Sequence, residues 1–136
     1  MDFSTSMSVA ASGMRVQSER MKVIAENIAN ADSTSPTPGG DPYRRKVPTV
    51  TTSFDRELGA SVVESGKTIE DQSAFRRKYD PGNPDADKQG YVKLPNVDPM
   101  LEIMDMREAQ RSYQADLTIM TATKQMLSNT IGLLNK

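Results

Sequence analysis

Side chains that do covalent or acid–base chemistry are scarce in this sequence. Its 136 residues include no Cys and no His. That removes thiolate nucleophiles, imidazole bases, disulfides and thiolate metal sites together. The 18 Asp and Glu residues are scattered without a cleft-forming fold, and no Gly-rich phosphate loop follows a strand. Neither an enzyme nor a cofactor or metal site is expected. What remains is hydrogen-bonding chemistry. Asn27 and Asn30 lie near an apolar helical seam. There they form an exposed helix end or C-cap, or buried inter-subunit bonds that fix register. Tyr113 is expected in a seam with its hydroxyl at the edge. Arg76-Arg77-Lys78 reads as a solvated face, or as a docking point for an acidic neighbour.

Two long helices must position these residues. From Phe3 to Asp32, apolar residues recur at Phe3, Met7, Ala10, Met14, Met21, Ile24, Ile28 and Ala31, with Gln17 the one polar member. The steps alternate four and three, the 3.5-residue period of a seam held against a partner helix. A second stripe runs beside it at Val9, Val16 and Val23. Ser4 or Ser6 is a suitable N-cap. Gly13 lies beside the seam, either as a tolerated exposed glycine or where its missing side chain suits close approach of a neighbouring backbone.

The second helix opens at Asp98-Pro99, with Asp as N-cap and Pro at the first helical position. Glu102 then sits near the positive end of the helix dipole. Its seam reads Ile103, Met106, Gln110, Tyr113, Leu117, Met120, Lys124, Leu127, Ile131 and Leu134, with a flanking stripe at Ile119, Met126 and Leu133. The pattern spans about 54 Å at the helical rise.

The region between has another character. Every proline except Pro99 falls in residues 33–95, and every glycine except Gly13 and Gly132. Lys46 to Phe54 reads as one β-branched strand, with Pro48 at an edge or at its start. Ser61–Glu64 is a partner for it, Thr68-Ile69 follows, and Gly90–Leu94 is a last short strand. A small antiparallel sheet is expected.

The fold read from these patterns is mainly α. A long antiparallel, coiled-coil-like hairpin of the terminal helices carries a small β-rich insertion. The divisions are residues 1–32, 33–95 and 96–136. Apolar residues make up only 36% and aromatics 5%, against about 45–50% apolar in ordinary globular chains. Helices packed along seams suit that composition better than a large spherical core. The net charge of -1 lacks the basic excess that nucleic-acid binding needs. No run approaches the roughly 20 apolar residues of a membrane span. Asp2 stands where a cleaved signal would carry positive charge, and no h-region follows.

A two-helix hairpin hides one seam and leaves Val9, Val16, Val23, Ile119, Met126 and Leu133 in water. Burying such side chains gains about 1.5–3 kcal/mol each, enough to drive association. Nine methionines suit contacts with non-identical neighbours, or serve as filler in a modest core. The candidate subunit-packing set is therefore Met7, Val9, Met14, Val16, Met21, Val23, Ile24, Asn27, Ile28 and Asn30 on the first helix, and Met106, Tyr113, Leu117, Ile119, Met120, Met126, Leu127, Ile131, Leu133 and Leu134 on the second.

The sequence also resembles a known family. Ser12-Gly13-Met14, Arg20 and Ala25-Glu26-Asn27-Ile28-Ala29-Asn30-Ala31-Asp32-Ser33 are similar to the N-terminal signature of bacterial flagellar rod and hook axial proteins. Tyr43-Arg44-Arg45-Lys46 stands where that family has an aromatic followed by basic residues. Asn96-Val97-Asp98-Pro99, Glu102, Met104-Asp105-Met106, Ala109 and Arg111-Ser112-Tyr113-Gln114-Ala115 resemble its C-terminal motif. Gly90-Tyr91-Val92, Pro95-Asn96-Val97 and the short length resemble the proximal-rod members. Asp116 departs from the usual Asn, and Ser35 to Gly40 expands a short turn.

The resemblance implies a structural subunit exported unfolded through the flagellar type III apparatus, without a cleaved signal peptide. It implies assembly with other rod proteins and copies of itself into the rod crossing the periplasm. In that rod the terminal helices form the inner tube, the middle module lies outside, and torque passes from motor to hook. The alternative from another class is a helical protein-binding module or type III export chaperone. The order helix, β module, helix argues against a chaperone, which has no need of the middle section.

Overall fold

The computed structural model describes residues 2–135. The element order is α1 (Phe3–Ala29), β1 (Lys46–Val47), β2 (Val50–Asp55), β3 (Ala60–Ser65), β4 (Ile69–Glu70), β5 (Arg76–Tyr79), β6 (Tyr91–Leu94) and α2 (Pro99–Leu134). Two helices thus flank a strand-containing region. α2 begins at Pro99, with Asp98 Oδ1 accepting from the Met100 amide at 3.0 Å. α1 stops three residues short of the expected Asp32. There the ladder tightens, with the Ala31 amide donating to the Ile28 carbonyl at 3.2 Å, and the Asn30 side-chain amide donates to the Glu26 carbonyl at 2.8 Å.

The strands differ from the single small sheet expected. They form three separate antiparallel pairs, β1 with β4, β2 with β3 and β5 with β6. The stretch Lys46 to Phe54 breaks at Pro48-Thr49. Pro48 has no amide to continue a ladder. Thr49 instead takes the Gly66 amide on its carbonyl and donates its hydroxyl to the Lys67 carbonyl at 2.7 Å. Arg76-Arg77-Lys78, read as a solvated face, is strand β5. Its residues are exposed, yet Arg76 Nη2 donates to the Ala31 carbonyl at 2.6 Å, satisfying a group left open beyond the end of α1.

The chain divides into two compact units. The first comprises the segment ending at Met21, Pro48–Lys67, and the segment from Arg107 onward. Its β2–β3 hairpin turns through Gly59 at φ +62°. Asp55 Oδ1 accepts from the Glu57 and Leu58 amides in that turn. Alternation along β3 buries Ala60 and Val62. The Val63 amide donates to Ser12 Oγ, tying the strand to α1. The first unit also buries Ala10, Val16, Ala109 and Thr123.

Gly13 does mark a close approach, though of a side chain and not of a backbone. A Cβ built there would stand 2.5 Å from Asp116 Oδ2. Burial raises the Asp116 carboxyl above its ordinary pKa. A raised folded-state pKa means the folded chain holds that proton longer than the unfolded chain does. Stability from this group therefore falls as pH rises through the carboxylate range. Asp116→Asn removes the penalty. Above pH 6 it is expected to melt roughly 1–2 °C higher than the parent chain, and near pH 3 the difference should vanish. Thermal scans at the two pH values check this.

The second unit comprises Lys22–Val47 and Thr68–Met106. It holds the β1–β4 and β5–β6 pairs. Its apolar core is small, with Val23, Ile24, Ala31, Val92 and Val97 buried. A polar network beside that core does much of the organising.

Candidate assembly surfaces

The network centres on two buried polar side chains of the second unit. Asn27 is 0% exposed and Glu102 is 1% exposed. Asn27 Nδ2 donates to the Lys46 carbonyl at 2.8 Å and to Glu102 Oε2 at 3.2 Å. Asn27 Oδ1 accepts from the Lys46 amide at 2.9 Å and from the Tyr43 hydroxyl at 2.8 Å. One asparagine thus meets all of its hydrogen-bonding capacity and pins β1 to the end of α1. Glu102 Oε1 accepts from Arg45 Nε. Arg45 also lies 3.6 Å from Asp71 and 3.7 Å from Asp105.

Burial alone would lower the Arg45 pKa. The Glu102 hydrogen bond and the carboxylates of Glu102, Asp71 and Asp105 reverse that and raise it. Burial raises the Tyr43 hydroxyl, opposed by Lys46 and assisted by Glu26, Glu102 and Glu70. The Ser73 backbone amide, with its hydroxyl, holds the Asp71 carboxyl low.

Asn27 therefore corrects both sequence expectations. It is neither an exposed helix end nor open to a neighbouring subunit, because its partners are all in its own chain. Asn30, half-buried, does sit at the helix end, and its carbonyl accepts from the Ser33 hydroxyl. Glu102, expected only as a dipole complement, is the buried anion of the network. Tyr43 and Arg45 were legible only as part of a family signature.

The packing candidates divide by helix. On α1, Val16, Val23 and Ile24 are buried, and Met7, Val9, Met14, Met21 and Ile28 are half-buried. The second stripe of α1 is thus covered within the chain more than a bare hairpin would allow. Val16 follows one turn after Ser12, where β3 is tied down. α2 behaves differently. Met106, Tyr113 and Met120 are half-buried, while Leu117, Ile119, Met126, Leu127, Ile131, Leu133 and Leu134 are all exposed, up to 73% and 80% for the last two. In the first unit, a groove of about 510 Å³ opens among Phe3, Met7, Ala11, Met120 and Leu127.

Most polar residues in this part of α2 find a partner locally. Thr118, Thr121, Thr123 and Thr130 each donate their hydroxyl to the carbonyl four residues back, at 2.8–2.9 Å. Gln125 donates to Asn129 at 2.9 Å. From Leu117 to Leu134 the only formal charge is Lys124. Removing this surface from water leaves few polar groups unpaired.

The first turns of α2 are inverted. Glu102 faces inward, while Met100, Leu101, Ile103 and Met104 are exposed. The heptad reading placed Ile103 in the seam and passed over the other three, because the period was taken to continue unchanged to the N-terminus. The Arg45–Glu102 pair sets the rotation of the helix here.

Comparison with known proteins accords with this geometry. A family model described as flagella basal body rod protein matches residues 7–35. Another, flagellar basal body rod FlgEFG protein C-terminal, matches residues 88–133. The flagellar basal-body rod protein FlgC of Agrobacterium fabrum is 47% identical over 131 residues, covering 96% of this chain and 94% of that protein. FlgC of Bacillus subtilis is 40% identical, covering 94% and 95%. FlgC of Salmonella typhimurium is 41% identical, covering 92% of each. With both helical ends matched to rod-protein models and near-complete coverage at these identities, the chain belongs to the FlgC family of flagellar basal-body rod proteins.

Proposed function

We propose that this chain is a structural subunit of the proximal rod of the bacterial flagellum, polymerising through its terminal helices into a shaft that carries torque from motor to hook. One observation carries the assembly reading: α2 leaves seven large apolar residues exposed from Leu117 to Leu134 while four threonine hydroxyls bond inward to its own backbone. A surface so apolar and so free of unmet polar groups is that of a helix covered by neighbours. The neighbours are other rod proteins and copies of itself.

The terminal helices act as an antiparallel, coiled-coil-like hairpin. Residue pairs within the first unit support that direction. Arg20 lies 3.4 Å from Glu108, Gly13 faces Asp116, and Met7 shares a groove with Met120 and Leu127. Numbers rise along α1 as they fall along α2. In the shaft, residues 1–32 and 96–136 supply the inner layer and 33–95 the outer module. Subunit packing falls to Met7, Val9, Met14, Met21, Ile28 and the exposed row of α2, with Val16, Val23 and Ile24 beneath them. The work is mechanical, and no catalytic step is assigned. The chain reaches the periplasmic rod through the flagellar export apparatus. No helix of the described residues is long and apolar enough to cross a membrane.

Hydrogen exchange tests the reading. In the dilute chain, amides of α2 beyond Leu117 are expected to exchange fast, within about 1–2 kcal/mol of unprotected. After co-assembly with rod partners they should become strongly protected. Equal protection before and after would remove the basis for assembly through this helix.

A further inference from the structure

Thioether sulfur is the most readily oxidised group in this chain. There are nine methionines and no Cys, His or Trp, so a peroxide meets methionine before any other side chain. Among the described residues Met100, Met104 and Met126 are exposed, and the other methionines are half-buried. Met126 differs from the other two in its setting. It is the middle member of Ile119, Met126 and Leu133, exposed apolar residues spaced one heptad apart. Its neighbours one turn away, Ala122, Thr123, Asn129 and Thr130, carry no charge. Thr123 and Thr130 already donate their hydroxyls to backbone carbonyls, so neither is available to a new acceptor at the Met126 side chain. Met100 and Met104 instead stand between Asp98 and the charged Asp105, Arg107 and Glu108.

We propose that Met126 is a modification site that gates assembly: the thioether lets this row of α2 be covered, and the sulfoxide keeps the chain out. The inference rests on the rod reading and adds to it a site and a chemistry. The oxidant is a peroxide. A sulfur lone pair of Met126 attacks one peroxide oxygen, the S–O bond forms and the O–O bond breaks. The other oxygen leaves with the protons as water. Sulfur loses two electrons and the peroxide gains them. The product is a polar sulfoxide in place of a flexible apolar side chain. Its oxygen accepts hydrogen bonds and is costly to strip of water where no donor meets it. Losing the burial of one such side chain is worth about tenfold or more in affinity. A sulfoxide reductase reverses the step. A dithiol supplies the two electrons, becomes a disulfide, and the sulfoxide oxygen leaves as water.

The test uses the full chain, treated with hydrogen peroxide until Met126 is partly oxidised. Trypsin cleaving after Lys124 releases a peptide from Gln125 onward with Met126 as its one methionine, so mass spectrometry reads the site directly. The mixed pool is co-assembled with rod partners, and assembled and unassembled chains are separated. Met126 sulfoxide is expected to be depleted about tenfold or more in the assembled fraction. Methionine sulfoxide reductases with dithiothreitol should return the unassembled chains to assembly. The oxidised free chain should keep its helix content by circular dichroism, because the site is exposed. Equal Met126 sulfoxide in the two fractions overturns the proposal and leaves the rod reading standing. So does depletion at Met100 or Met104 in place of Met126. Loss of helix content on oxidation overturns it as well, making the effect one of folding. An untreated chain that fails to co-assemble would instead overturn the rod reading, and this site with it.

Discussion

Arg45→Met is expected to destabilise the second unit by about 3–5 kcal/mol. The substitution keeps most of the side chain's bulk and removes its charge. Glu102, 1% exposed, is then left as a buried carboxylate whose remaining donor is the Asn27 amide at 3.2 Å. Total stabilities of about 5–15 kcal/mol are usual for a domain, so the loss should be visible as early urea unfolding and fast exchange at the Lys46 amide. Adding Glu102→Met should recover more than half of it, because a pair replaced by apolar groups of similar volume leaves no charge stranded. The coupling between the two sites then reads out the pair. Simple additivity of the two losses would show that Arg45 does not compensate Glu102.

Met126→Asp and Leu133→Asp are expected to abolish swimming while leaving the isolated chain folded. Both parent side chains are more than half exposed, and an exposed substitution ordinarily shifts stability by no more than about 0.5 kcal/mol. In an assembled shaft the same carboxylates would be stripped of water against neighbouring helices. The cost of burying an unpaired charge reaches several kcal/mol for each copy. Soft-agar spreading and circular dichroism of the purified chain measure the two halves of the claim. Normal swimming of either variant, with the protein present in the cell, would show that this face stays in water.

The two helices were plain in the sequence because their apolar residues recur at one period over several turns. The start of α2 was plain because Asp98-Pro99 is a local signal. What lay hidden depends on distant partners. Asn27 gains its role from Tyr43, Lys46 and Glu102, and no pattern within the helix points to a residue 75 positions away. The inversion at Met100–Met104 follows from the same pairing. Strand β5 was missed because Arg76-Arg77-Lys78 has neither alternation nor β-branched residues. Its pairing register is Arg76 with Leu94 through Tyr79 with Tyr91. Pro48 was read correctly as a constraint. Its result, a change of strand partner, required knowing where Gly66 and Lys67 lie.

The threonines of α2 have a mechanical consequence. Since their hydroxyls turn to the helix's own backbone, a neighbour packed on that surface would be held by shape and dispersion, with few directed bonds. An adjoining helix can glide a fraction of an ångström, or twist by a few degrees, with little to snap. Under a load that reverses sign, such a joint yields and springs back, where a lattice of directed bonds would break and reform at every cycle.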